Sequence, residues 1–352
     1  METVAMVEAL RRLVEAESFS SDPQGVARCA GVIDDLCAEV LGSPAQPRGP
    51  HRVWRREGGR PVLLLCHFDT VWPPGTLGEF PFTVDDGVAR GPGAFDMKAG
   101  IVQALAAVRD TDGPLTILFN GDEEIGSPTS RALIEEEARA ARAVLVMEPA
   151  AGPAVKVARK GVGQWTIDVE GRAAHPGLAP ERGINAAVEL AHQVLAIQDL
   201  ARPQEGTTVT VTTLDAGTAG NVIPPAARCT VDVRMWTLEE AARAERGLAS
   251  LRPVLAGARL RVDGGLNRGP MERRAAEPLY ERLRGLGYDV PAAEVGGASD
   301  GNFTAALGIP TLDGLGPVGG GAHAREEHVL VDEMPARARM VARLIADLLS
   351  EP

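Results

Sequence analysis

The sequence predicts an α/β protein: a largely parallel sheet with helices on both faces, plus an inserted ferredoxin-like α+β domain. Three observations carry this prediction. VLLLC (62–66), LTILF (115–119) and AVLVM (143–147) are short, continuous apolar runs separated by helix-like stretches, as a sheet covered on both faces requires. From about Gly163 the texture changes to alternating strands such as QWTIDVE (164–170), with one polar face. A chain of 352 residues, 45% of them hydrophobic, is also long enough that two domains are a better expectation than one core.

The elements follow in order. Val7, Leu10, Leu13 and Val14 share one helical face, as do Ala30, Ile33, Leu36 and Val40 in a second helix. A Pro/Gly-rich loop is expected around residues 43–50, and helices over 98–109 and 128–142 connect the three apolar strands. The inserted part reads as strand 164–170, helix 182–199, strands 207–213 and 228–235, helix 237–251 and strand 257–263. That β-α-β-β-α-β order is ferredoxin-like. The chain then returns to a helix (271–286), a strand near 309–313, a glycine-rich loop and a closing helix (332–350). The expected domains are 1–162 and 269–352, forming one catalytic body, and 163–268 as the insertion.

Charge narrows the function. With 36 Lys+Arg against 48 Asp+Glu, the net charge of −12 argues against binding to nucleic acid or anionic membrane. No apolar run approaches the roughly 18–20 residues of a membrane span. Cys29, Cys37, Cys66 and Cys229 form no regular framework and read as reduced thiols, so a cytoplasmic location is expected.

The chemistry collects where the apolar runs end. VLLLC runs into His67 and Asp69, LTILF leads to Asp122, Glu123 and Glu124, and AVLVM ends at Glu148. Ligand sites of open α/β sheets lie beyond the carboxyl ends of the strands, so these acids converge on one edge. Buried together they require cations, and imidazole with carboxylates suits zinc, with cobalt or manganese as substitutes. Cys66 should point away from His67, whereas Asp69, two residues on, can receive its second ring N–H. His51 and His192 read as structural. His323 follows a triple glycine and is the further ligand candidate; His328, five residues later, is misphased for a helical metal pair and reads as shell or surface. The run GLGPVG (314–319) matches GxGxxG, but more glycines follow it in place of a helix, so it reads as a turn and not a phosphate cradle.

At these residues the chain resembles the di-zinc aminoacylase/carboxypeptidase metallopeptidases, which include glutamate carboxypeptidase, acetylornithine deacetylase and succinyl-diaminopimelate desuccinylase. The blocks that carry the resemblance are HFDTV (67–71), GPGAFDMKAG (91–100), NGDEEIGS (120–127), MEP (147–149), ARKGVG (158–163), GRAAHPG (171–177), AGNVIP (219–224), DVR (232–234), GGASDGNF (296–303) and GGGAHAREEHV (319–329). The resemblance implies a zinc-exopeptidase-like fold with two Zn²⁺ per subunit. Asp96 would bridge both ions and be joined to Met97 by a cis bond. His67 and Glu148 would complete one site, and Glu124 and His323 the other. Glu123 would be the general base acting on a water between the metals. The resemblance further implies a homodimer formed through the inserted lid domain, with His175 of that domain holding the oxyanion in the partner's site. Arg234 would bind the substrate carboxylate, with Asn221, Lys160 and Ser299 nearby.

The expected activity is hydrolysis of an amide or peptide bond next to a free α-carboxylate. ARKGVG and GGASDGNF look most like the glutamate carboxypeptidase branch, with a small peptide or N-acyl amino acid as substrate. Met97 stands where many relatives carry a second aspartate, and the DMK variant is common among deacetylases. An N-acyl-amino-acid deacylase is therefore the competing reading. A non-catalytic binding relative would have lost a ligand or the base, whereas His67, Asp96, Glu123, Glu124, Glu148 and His323 are all retained.

Overall fold

The computed structural model describes residues 1–350. The chain opens with α1 (Thr3–Glu15) and α2 (Pro23–Leu41), then β1 (Gln46–Arg48), β2 (His51–Arg56), β3 (Val62–His67), β4 (Thr83–Asp85), β5 (Val88–Arg90), α3 (Ala99–Arg109), β6 (Leu115–Asn120), α4 (Arg131–Ala140), β7 (Ala143–Val146) and β8 (Val155–Arg159). β9 (Gly161–Glu170), α5 (Ala186–Gln198), β10 (Thr208–Ala216), β11 (Ala226–Met235), α6 (Leu238–Ala249) and β12 (Arg259–Arg268) follow. The last stretch contains α7 (Arg273–Gly285), β13 (Ala292–Val295), α8 (Gly301–Ala306), β14 (Thr311–Leu312), β15 (Gly319–Gly320), β16 (His328–Leu330) and α9 (Glu333–Ser350).

Two compact units result: Met1–Ala158 with Met271–Val295 and the chain from Ser299 on, and Arg159–Pro270 with Gly296–Ala298. The first holds a six-stranded sheet ordered β1-β2-β6-β3-β7-β14. β6, β3, β7 and β14 run parallel, so their carboxyl ends face one edge. Side-chain alternation splits the core in two. Leu64, Cys66, Ile117 and Leu145 pack with residues of α1, α2, α3, α7 and α9. Leu63, Leu65, Leu118 and Val144 pack with Leu133 and Ile134 of α4 and Phe303 of α8. Every residue of β3 and β6 is buried, as a strand covered on both faces must be.

Two features correct the sequence reading. The expected loop around 43–50 contains β1 and leads directly into β2, which pairs antiparallel with β6. Pro47 and the Gly49-Pro50 turn hid this edge hairpin from a composition-based reading. A second sheet, β15-β16-β5-β4, leaves no signal in the sequence, because strands of two or three residues show no periodicity.

The second unit is an antiparallel sheet, β10-β11-β9-β12, with α5 and α6 on one face. Trp165, Ile167, Val169, Val231, Val233, Leu190 and Leu248 form its core. The opposite face of β9 carries Gln164, Thr166, Asp168 and Glu170, which are half-buried or exposed.

Candidate metal centre

β3 delivers His67 as its last residue, with the imidazole buried. Asp96 lies between β5 and α3, in a segment whose backbone departs from helical geometry at Asp96 and Met97. The Asp96–Met97 peptide is cis. Glu123 and Glu124 form a short turn just beyond β6, and Glu148 follows β7. His323 sits in the loop between β15 and β16 at φ +63°, so the small sheet is what anchors it.

These residues meet. The Asp96 carboxylate has one oxygen 3.2 Å from His67 Nε2 and the other 3.4 Å from His323 Nε2. Glu148 reaches His67 Nε2 at 3.4 Å, and Glu124 reaches His323 Nε2 at 3.2 Å. His67, Asp96 and Glu124 offer donor atoms within 4.8 Å of one another, as do His67, Glu123 and Glu148. Among the described residues, the ion-pair partners of Asp96 and Glu124 are histidines; neither pairs with Lys or Arg.

The electrostatics show what the cluster lacks. Burial works against an ionised Asp96, yet His323 and His67 hold its carboxyl far below the usual range. Burial pushes Glu124 up. Hydrogen bonds to Asp96 and Glu124 push the His323 imidazole up to about 10. The histidines thus stand in as the cations for clustered carboxylates. A mixed imidazole and carboxylate donor set around a shared acid fits zinc-type dications, which would relieve this imbalance directly.

Asp69 is fully buried, with both its backbone oxygen and its carboxylate beside His67 Nδ1. His67 Nδ1 lies 3.1 Å from the backbone oxygen of Asp69 and 3.5 Å from its carboxylate. The carboxylate also accepts the backbone N–H groups of Glu123 (3.0 Å) and Glu124 (3.1 Å) and the hydroxyl of Ser20 (2.7 Å). Asp69 therefore couples the His67 strand end to the Glu123–Glu124 turn. Ser299 is a correction. It is fully buried and donates to Asp313 at 2.6 Å, so its hydroxyl is committed inside the fold. Asp300 beside it accepts hydrogen bonds from Asn120 and Ser127, bracing the turn after β6.

Four expected site residues belong to the second unit. His175 is exposed, with Nδ1 accepting the Gly177 N–H at 3.1 Å, and Asn221 is exposed in the loop between β10 and β11. Lys160 donates to the Gly206 carbonyl and stacks over Trp236. Arg234 already forks onto Asp232 of the same strand, at 2.9 and 3.0 Å.

Residues given no site role by the sequence reading also shape the site. His51 is buried, opens β2, and accepts the Gly121 N–H at 3.2 Å. The glycine-rich run is explained by close packing: a Cβ on Gly316 would lie 2.1 Å from the Met147 carbonyl oxygen, and the Gly316 N–H donates to the Glu148 carbonyl. Arg337 of α9 clamps this loop through the carbonyls of Gly314 and Gly316. Glu327, buried next to the Asp96 segment, carried no sequence signal beyond its neighbourhood to His323.

An α/β sheet whose strand ends gather two histidines and several carboxylates around one shared aspartate defines a metallohydrolase scaffold. The sequence pattern of peptidase family M20/M25/M40 matches residues 63–347, and the chain belongs to this family of metal-dependent hydrolases. It is 31% identical over 376 residues to carboxypeptidase G2 of Pseudomonas sp. (strain RS-16), covering 99% of this chain and 90% of that protein. It is 30% identical over 339 residues to succinyl-diaminopimelate desuccinylase of Xanthomonas oryzae pv. oryzae (strain PXO99A), covering 85% and 87%. The fold is similar to that of aminopeptidase PepT from Bacillus cereus ATCC 10987, with a TM-score of 0.77, 20% identity and 99% of each chain covered.

Proposed function

We propose that this protein is a di-zinc hydrolase that cleaves an amide bond next to a free α-carboxylate, releasing a C-terminal amino acid, with an acidic one favoured. The observation that carries this reading is Asp96, whose two oxygens face His67 and His323 separately. His67, Glu148 and Asp96 would hold one ion; Glu124, His323 and Asp96 would hold the other. When bound, such ions polarise the scissile carbonyl and make water more acidic.

The chain's own groups do the rest. Glu123, clustered with His67 and Glu148, takes the proton from the attacking water and returns it to the leaving amine. Asp69 holds the backbone of that base and of Glu124 through two N–H groups. Arg234 binds the substrate carboxylate by a planar, bidentate contact, exchanging it for Asp232. Asn221 and Lys160 assist in substrate binding, and Ser299 supports the site from within the core.

The inserted unit is read as a dimerisation and lid domain. β10 is an edge strand with Leu214 54% exposed, and α5 exposes Val188 and Leu195 on one face, a surface suited to pairing with a second copy. His175 would then act in the partner's site. We place the enzyme in the cytoplasm on its four free, buried thiols. Among the described residues no helix is long and apolar enough to cross a membrane.

The desuccinylase relative and the DMK sequence at 96–98 favour a second reading, deacylation of an N-acyl amino acid. A panel of C-terminal glutamyl dipeptides and N-acetyl or N-succinyl amino acids separates the two. The expected result is preferential release of C-terminal glutamate by zinc- or cobalt-loaded protein and loss of turnover in chelator. Faster deacylation of the small acyl groups would select the second reading, and no metal-dependent hydrolysis of any member would overturn both.

A further inference from the structure

One carboxylate outside the cluster touches three of the segments that build it. Glu327 is fully buried. Its Oε1 accepts the backbone N–H of Phe95 at 2.9 Å and of Asp96 at 3.0 Å. Its Oε2 accepts the backbone N–H of Gly93 at 3.0 Å and the indole N–H of Trp72 at 2.8 Å. Trp72 lies on the loop after His67 and Asp69, and residues 93–96 present Asp96. Glu327 itself closes the His323 turn, its N–H donating to the Ala324 carbonyl at 2.9 Å.

Four donors converge on two oxygens. An amide in this position would turn its NH₂ group toward donors, whereas a carboxylate accepts at both ends. Among the described residues these partners are uncharged N–H groups, and no Lys or Arg pairs with the carboxylate. A fully buried carboxylate with no directly paired cation is costly, so packing is a poor reason to keep one there.

We infer that Glu327 is a positioning residue for the metal centre: it fixes the backbone of Asp96 so that the two carboxylate oxygens face His67 and His323, and ties both histidine-bearing loops to that segment. This rests on the reading of Asp96 and His323 as ligands. Groups that orient metal ligands commonly change affinity ten- to a hundredfold when removed.

The test measures zinc affinity, by competition with a chromophoric chelator, and the melting temperature of the metal-free protein, for wild type, Glu327→Gln and Asp96→Ala. Glu327→Gln is expected to fold, to bind zinc about ten- to a hundredfold more weakly, and to lose kcat at saturating zinc with KM little changed. A folded Glu327→Gln protein with zinc affinity within about twofold of wild type would overturn the inference, even with a lowered melting temperature, since that is the signature of a purely structural group. If Glu327→Gln does not fold, Trp72→Phe deletes one of the four donors alone. It is expected to weaken zinc binding at least about threefold, and an unchanged affinity would overturn the inference. Asp96→Ala separates the two layers. Wild-type zinc binding by that variant would refute the ligand reading itself, whereas its loss beside an unaffected Glu327→Gln refutes only the positioning role.

Discussion

Asp96 and Glu123 divide the proposed chemistry between them: Asp96 faces both histidines, and Glu123 stands beside His67 and Glu148 without belonging to the histidine–aspartate chain. Removing the base should leave the cation sites intact. Glu123→Ala is expected to retain its zinc, measured by elemental analysis, while turnover falls by roughly 10²–10⁴-fold; unchanged turnover would exclude it as base. Arg234 gives a second test. Lysine keeps the charge and loses the planar pair of donors, so Arg234→Lys should raise KM roughly tenfold for substrates with a free α-carboxylate and leave the corresponding amides unaffected. Equal kinetics on acids and amides in the wild type would contradict a carboxylate clamp.

The strand ends set the spacing of the site, and the loops beside them leave no slack. β3, β6 and β7 are parallel and in register, so His67 lies opposite Asn120, with Glu148 two residues past β7. The glycine-rich loop presses on that last strand end at Gly316. Gly316→Ala would drive a Cβ into the Met147 carbonyl, which must shift and carry Glu148 with it. Overpacking of this kind costs about 1–3 kcal/mol. The expected outcome is a lower urea midpoint together with weaker zinc binding, and a variant that melts like wild type would show that the loop can retreat without cost. The small sheet acts similarly, since β15 and β16 close the loop that holds His323 in a left-handed conformation.

The chain as a unit carries a charge of −12, of which Asp69, Asp96, Glu123, Glu124 and Glu148 form one local concentration. The remaining acid excess gives no attraction for an anionic substrate, so under the proposed function recognition is assigned to the metal ions, Arg234 and Lys160. If His175 acts across a dimer, two inactive variants should rescue each other. His175→Ala and Glu123→Ala protomers, mixed and allowed to exchange, are expected to form heterodimers with one intact site each. Activity that stays at the level of the separate variants, despite exchange seen by native mass spectrometry, would refute the shared site.

Much of this protein is written in local sequence. The apolar runs mark β3, β6 and β7 because a strand covered on both faces needs consecutive apolar residues, and the acids that follow mark the sheet edge. Alternation likewise marks β9 and β11, since one face of that sheet is open. The histidine and acids at those strand ends, and the metal chemistry they suit, are legible for the same reason, whereas Asp96 as the shared ligand and Glu123 as the base rest on the family resemblance. Other features were decided only by the fold. β15 and β16 are too short for a period to appear, and the edge hairpin of β1 and β2 is masked by prolines. Ser299 turned inward, Arg234 found Asp232, and Asp69 bonded the turn after β6, because hydrogen-bond partners far apart in the chain are chosen in three dimensions. Glu327 is the clearest case: its four donors come from residues more than 200 positions away, and a carboxylate hydrogen-bonded by distant backbone and indole N–H groups leaves no local pattern to read.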